Sequence, residues 1–143
     1  MAIIDVSNAV VGRVASRIAK RLLDGEEIIV VNVEEAIMTG NRDQIIERYM
    51  LKRELGSIHK RKGPKYPRMP DRLFRRVVRG MLPYKKPHGK EAFKRLKVYI
   101  GVPKELKDRV NEFERAAESK KYKKYIKLGE ISRMLGAKFE VKK

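Results

Sequence analysis

The chain has 143 residues, 42% of them apolar and 38% charged, with no cysteine, so it is long enough for one domain with its own core and has no means for disulfide, zinc-finger or thiol chemistry. Thirty-six Lys and Arg oppose eighteen Asp and Glu, for a net charge of +18, well beyond the magnitude of roughly 2–8 that solubility asks of a small domain. No apolar run approaches the ~18 residues of a membrane span, and the opening Met1-Ala2-Ile3-Ile4-Asp5 lacks the basic-then-apolar layout of a secretory signal, so an intracellular location is expected.

Residues 2–6 read as a short strand. Ser7 or Asn8 is placed to cap the helix that follows, whose apolar stripe is Val10, Val14, Ile18 and Leu22. Gly25 stops it, and the β-branched run Ile28-Ile29-Val30-Val31 suits a strand covered on both faces. Strand, helix and buried strand within thirty residues make a βαβ unit with a right-handed crossover. Residues 36–38 suggest another strand and Thr39-Gly40-Asn41 a turn. Asn41, with Gln44 three residues on, resembles a capping box ahead of a helix carrying Ile45, Ile46, Tyr49 and Met50.

Residues 56–70 show no periodicity and are broken by Gly56, Gly63, Pro64, Pro67 and Pro70. They are expected to form a long basic loop, mobile without a partner. Asp71 is placed to cap the next helix, in which Leu73, Phe74, Val77, Val78 and Met81 form one stripe and Arg72, Arg75, Arg76 and Arg79 the other. A second basic loop spans 83–90, then a short helix around Ala92, Phe93 and Leu96, then a strand over 97–102. Leu106, Val110, Phe113 and Ala117 have helical spacing, as do Ile131 and Leu135, and Phe139 with Val141 suggests a tail strand.

Charge is uneven along this order. Residues 1–51 carry a net −2, residues 52–97 a net +14 and residues 98–143 a net +6. Such an excess resists compaction unless a polyanion quenches it, and a phosphate backbone does so while releasing its condensed counterions. Arginine adds a planar fork that pairs bidentately with phosphate. Tyr66 and Tyr84 lie among the cations, where they can stack on unpaired bases or pack the loop bases; Tyr99 reads as buried in its strand. No helix-turn-helix, zinc-finger or zipper pattern points to sequence-specific DNA binding.

Signals for catalysis are weak. Gly12 opens a helix after a strand, but without G-x-G-x-x-G or a P-loop around it; it serves either close packing of the helix on the sheet or a phosphate at the helix N-terminus. His59 and His88, the only histidines, have no metal-ligand neighbours in sequence. Asp5 ends a strand, where carboxylates of α/β enzymes often act, but stands alone. Glu34 and Glu35 are adjacent, so on a strand they point apart.

Val78-Arg79-Gly80-Met81-Leu82-Pro83, Gly89 and Leu96-Lys97-Val98-Tyr99 resemble the signature of the L-thirteen family of large-subunit ribosomal proteins. Gly12-Arg13-Val14-Ala15-Ser16, Val31-Asn32-Val33-Glu34 and Thr39-Gly40-Asn41 are similar to its earlier segments, in the same order over residues 5–100. The wording at 52–57 and the expected Lys-rich C-terminal helix resemble archaeal and eukaryotic members. The resemblance implies an α/β fold in three layers (α/β/α), with a small, mostly parallel four-stranded sheet of order 3-2-1-4 and strands near 2–6, 28–32, 36–39 and 97–101. One domain, 1–143, is expected, with basic loops and a helix over about 52–97 and a helical C-terminal extension over about 104–143. The implied function is structural: binding large-subunit rRNA in the cytoplasmic ribosome, beside neighbouring ribosomal proteins, and supporting subunit assembly. No catalytic residue, metal, cofactor, membrane or small-molecule substrate is expected. The expected RNA contacts are Arg53, His59, Lys60, Arg61, Lys62, Lys65, Arg68, Arg72, Arg75, Arg76, Arg79, Lys85, Lys86, His88 and Lys90, with Arg13 and Lys20 extending the surface. The alternatives are a basic DNA-binding protein and a small nucleotide-using enzyme.

Overall fold

The computed structural model describes residues 1–55, 63–117 and 120–141. Strand β1 (Ala2–Asp5) leads to helix α1 (Val11–Leu23) and strand β2 (Ile28–Val31). A 3₁₀ turn (Val33–Glu35), strand β3 (Ile37–Thr39) and helix α2 (Arg42–Glu54) follow. Helices α3 (Pro70–Met81) and α4 (Pro87–Lys94) precede strand β4 (Leu96–Val98). A 3₁₀ segment (Lys104–Glu112), strands β5 (Glu114–Arg115) and β6 (Tyr125–Lys127) and helix α5 (Leu128–Met134) complete the order.

The main sheet runs β4-β2-β1-β5, every pair parallel. Counted among its own strands this is the expected order 3-2-1-4, but two of its occupants differ. The strand expected third, near 36–39, is β3, which pairs antiparallel with β6 in a separate two-stranded sheet. The third place is taken by β4 and the fourth by the two residues of β5. The cause lies just after β2. Asn32 adopts a left-handed backbone (φ 55°), and the 3₁₀ turn redirects the chain so that the Ile37 N–H donates to Ala9 O at 2.9 Å. β3 is thereby drawn to the start of α1 instead of the sheet edge.

Alternation along the strands sorts the core into two faces. Ile4, Ile28, Val30, Leu96 and Val98 pack under the apolar sides of α1 (Val14, Ile18, Leu22) and α3 (Leu73, Phe74, Val78). Ile3, Ile29 and Val31 point the other way and are covered by Val102, Leu106 and Phe113. β2 is therefore buried at all four positions, as its unbroken apolar run predicts.

Several local expectations change. Residues 104–117 are not an α-helix. Arg109 leaves helical geometry (φ −105°, ψ 16°), and the chain is extended by Glu114. A 3₁₀ segment rises about 2.0 Å per residue against about 1.5 Å for an α-helix, so the same nine residues reach further across the second sheet face. The C-terminal third is helical only in part. Residues 139–141 form no strand. Neither Ser7 nor Asn8 caps α1, because the Asp5 carboxylate accepts both Ser7 N–H (3.0 Å) and Ser7 Oγ (2.7 Å). Asn41 does cap α2, accepting from Asp43 N–H at 3.1 Å. α3 starts one residue earlier than Asp71, at Pro70, whose fixed φ suits the first helical position. α4 likewise starts at Pro87, so His88 and Lys90 lie on a helix, not in a loop. Gly12 is exposed, and a Cβ there would meet nothing within 4 Å, so close packing is not its role. Gly89 is the opposite case: a Cβ would lie 2.2 Å from Pro83 O, so only glycine lets α4 fold back on the preceding loop.

Candidate nucleic-acid interface

α3 is positioned by its apolar side. Leu73, Phe74 and Val78 are almost wholly buried against α1 and the sheet. At about 100° per residue, Arg72, Arg75, Arg76 and Arg79 fall on the opposite side within an arc of about 100°. With Pro67, Asp71 and Phe93 they line a groove of about 530 Å³.

Aromatic rings hold three of these guanidinium groups. Arg75 lies 4.8 Å from the Phe93 ring centroid, Arg76 5.3 Å from Tyr66 and Arg79 4.9 Å from Tyr84. The rings pack edge-on in pairs, Tyr84 with Phe93 (5.5 Å) and Tyr49 with Tyr66 (5.9 Å). Each cation–π contact contributes about 0.5–1 kcal/mol at an exposed site and restrains the guanidinium. Tyr66 and Tyr84, for which the sequence allows either base stacking or loop packing, thus serve as platforms for the chain's own arginines. Tyr99 is about 37% exposed, not buried in its strand as expected.

Among the described residues, none of the four arginines has a carboxylate partner within salt-bridge distance. Arg21 is bound by Glu26 (2.5 Å) and Glu114 (2.7 Å), Arg42 by Glu130 (2.6 Å) and Arg109 by Glu112 (2.5 Å). Lys127 pairs with Glu35. Asp71 shares the groove, but its buried Oδ1 accepts no hydrogen bond; it sits in the first turn of α3, where the helix dipole favours negative charge.

The remaining expected contacts are placed as follows. Arg53 is half-buried and donates to the main-chain Tyr66 O at 2.5 Å, which anchors the backbone that carries the ring beside Arg76. Lys65, Arg68, Lys85, Lys86, His88 and Lys90 are exposed; no contact ties them to the groove, although Tyr84 and Phe93 bring their segments to its wall. His59, Lys60, Arg61 and Lys62, and the expected mobility of that loop, lie outside the described residues. Arg13 is 6.0 Å from the Tyr122 ring, and Lys20 is exposed in the last turn of α1.

Arg48 and Lys52 are not among the contacts expected from sequence. They border a second pocket of about 270 Å³ beside Gly12 and Thr39, and Lys52 lies 5.0 and 5.2 Å from the Tyr49 and Tyr66 rings. A signal for them is present in the sequence, since Lys52 stands one turn after Tyr49 on the same helix. Burial pushes the Tyr49 phenol up to about 12, so the ring stays neutral beneath the cation. The carboxylates considered for catalysis are spent on the fold. Asp5 also accepts from Asn32 Nδ2 (3.1 Å), and buried Glu34, on the 3₁₀ turn and not a strand, accepts from Gly101 N–H (2.9 Å).

A row of four guanidinium groups, three of them beside an aromatic ring and none with a carboxylate partner among the described residues, can pair with successive phosphates through the planar fork. Comparison with known proteins decides the family. The model of ribosomal protein L13 matches residues 1–105.

The chain belongs to the ribosomal protein L13 family.

Its similarity to members of that family extends past the matched segment. A Methanococcus maripaludis protein named large ribosomal subunit protein uL13 is 51% identical over 141 residues, covering 97% of this chain and 100% of its own length. The Methanocaldococcus jannaschii protein of that name is 50% identical with the same coverage. That of Archaeoglobus fulgidus is 49% identical over 139 residues, covering 94% of this chain and 86% of its own. For an L13 family member the Arg-Gly-Met-Leu-Pro run now has a physical reading. It ends α3 with Arg79 on the open side and Met81 and Leu82 turning the chain toward the loop that Gly89 admits. Among the described residues, no helix is long and apolar enough to cross a membrane.

Proposed function

We infer that this chain is a structural constituent of the large ribosomal subunit that binds large-subunit rRNA and supports subunit assembly and translation in the cytoplasm. The observation that carries the reading is the α3 arginine row, three of whose four guanidinium groups lie beside aromatic rings and none of which has a carboxylate partner among the described residues. The 143 residues act as one domain: the sheet and α1 are the mount, and α3, α4 and the basic segments flanking them clamp rRNA beside neighbouring ribosomal proteins. Binding proceeds by neutralising phosphates, which frees condensed counterions, and the fixed spacing of the row selects backbone shape. The reading has no catalytic step and calls for no metal, cofactor or small-molecule substrate.

Arg75→Ala with Arg76→Ala tests it. Binding to large-subunit rRNA, measured across a salt series, should weaken, and the slope of log K against log salt should fall by nearly one for each phosphate that is no longer neutralised. An unchanged slope removes these two arginines from the interface. Competition with duplex DNA at matched salt should favour rRNA; preference for the duplex would return the chain to the DNA-binding alternative.

A further inference from the structure

α2 separates its charges. At about 100° per residue, Asp43, Glu47, Met50 and Glu54 fall within an arc of about 60°, while Arg48 and Lys52 lie some 140–180° away, on the side that borders Gly12 and Thr39. The acidic side faces α5 across a groove of about 440 Å³, whose lining also holds Arg42, a cation already bound by Glu130 at 2.6 Å and 3.9 Å from Asp43. Ile46 is buried in α2 at its floor. Its walls include Met50, Leu51 and Met134, which are 39%, 58% and 44% exposed. Among the described residues, neither Glu47 nor Glu54 has an ion-pair partner, although the chain holds twice as many basic as acidic side chains.

We propose that the α2–α5 groove docks a basic segment of another protein, with an apolar anchor seated between Met50, Leu51 and Met134 and flanking Lys or Arg against Glu47 and Glu54. The sign of the rim selects the occupant. Phosphates are repelled there, so nucleic acid is turned away from this side of α2 while Arg48 and Lys52 attract it on the other. The apolar wall adds what a purely electrostatic contact lacks. Methionines supply it with soft, adaptable surface, and the exposed carboxylates give the register and steering that complementary charge gives. The proposal stands independently of the rRNA reading, since it uses none of the arginine row.

The test uses the full chain with labelled methionine methyl groups. Met50 and Met134 report the groove, and Met1, Met38, Met69 and Met81 serve as internal controls. The probe is a short synthetic peptide in which leucines are flanked by lysines. Its addition should shift the Met50 and Met134 signals saturably, and Glu47→Lys with Glu54→Lys should weaken that binding at least about tenfold. Both residues are exposed and unpaired among the described residues, so the variant keeps its fold, as unchanged control signals would show. The proposal is overturned by no shift, by a shift indifferent to charge reversal, or by an equal shift from an all-lysine peptide of the same charge. It is equally overturned if an RNA oligonucleotide moves Met50 and Met134, or if dilution of the chain alone moves them, which would make the occupant a second copy. Whether the oligonucleotide binds elsewhere on the chain bears only on the rRNA reading.

Discussion

Arg21 on α1 and Arg76 on α3 are both half-buried arginines on helices that pack against the same sheet, yet their surroundings differ in kind. Arg21 is gripped by Glu26 and Glu114, so its charge is cancelled inside the molecule and it ties α1 to β5. Arg76 rests on Tyr66, a ring that orients the guanidinium and leaves its charge intact. Carboxylate neighbours turn an arginine into a staple, whereas aromatic neighbours hold it ready for an anion from outside. The choice of neighbour, more than the count of cations, distinguishes the structural region from the proposed binding region.

The comparison can be broken in several ways. The largest effect is expected from Phe74→Ala, which empties the core beneath the arginine row. Removing a buried Phe costs about 3–5 kcal/mol, and thermal or denaturant unfolding should show it. The salt slope of rRNA binding by the chain that remains folded should be unchanged, because the arginines are untouched. Phe93→Leu should act the other way round. It keeps an apolar side chain but removes the platform under Arg75, forfeiting about 0.5–1 kcal/mol. That predicts rRNA affinity lower by roughly two- to fivefold at constant slope, measured by filter binding. If affinity does not change, the ring contributes nothing to readiness.

Arg21→Ala should lower the melting temperature by only a few degrees, since ion pairs near the surface contribute little, and leave rRNA affinity nearly untouched, since its charge is already met by Glu26 and Glu114. A loss of RNA binding equal to that of the α3 variants would erase the distinction between the two regions. The smallest effect is expected from acid. Arg21 holds Glu26 and Glu114 below the ordinary carboxylate value of 4.5 in the folded chain. Their contribution is complete above that value and is lost as the pH falls through the lowered folded one. Hydrogen exchange at Ala116 N–H, which donates to Asp5 O beside β5, should quicken there before the rest of the sheet opens. Simultaneous loss of all strands would place the staple elsewhere.

Much of this was legible in the sequence wherever one periodicity was uncontested. Val14, Ile18 and Leu22 gave α1, and the unbroken Ile28–Val31 run gave a strand buried on both faces. The alternation of Arg72, Arg75, Arg76 and Arg79 with Leu73, Phe74 and Val78 gave α3 with its two sides. What stayed hidden depended on distant partners. Nothing local says that residues 37–39 pair with 125–127, fixed by the Ile37 bond to Ala9, or that Glu114 and Arg115 complete the sheet. The helical spacing of Leu106, Val110 and Phe113 misled because only Leu106 and Phe113 touch the second sheet face, while Val110 is 53% exposed. The basic composition pointed to a stretch of chain as the candidate site. It could not show which arginines would find rings and which would find carboxylates, since Glu114 lies ninety-three residues from Arg21.

The two outer strands of the main sheet, β4 and β5, are three and two residues long, and the middle residue of β4 is the exposed Lys97. A foreign strand arriving at either border finds too few free backbone groups to extend a ladder, and on one side a cation as well. The sheet that holds the apolar Ile28–Val31 strand thus presents blunted borders, which disfavour edge-to-edge pairing between copies.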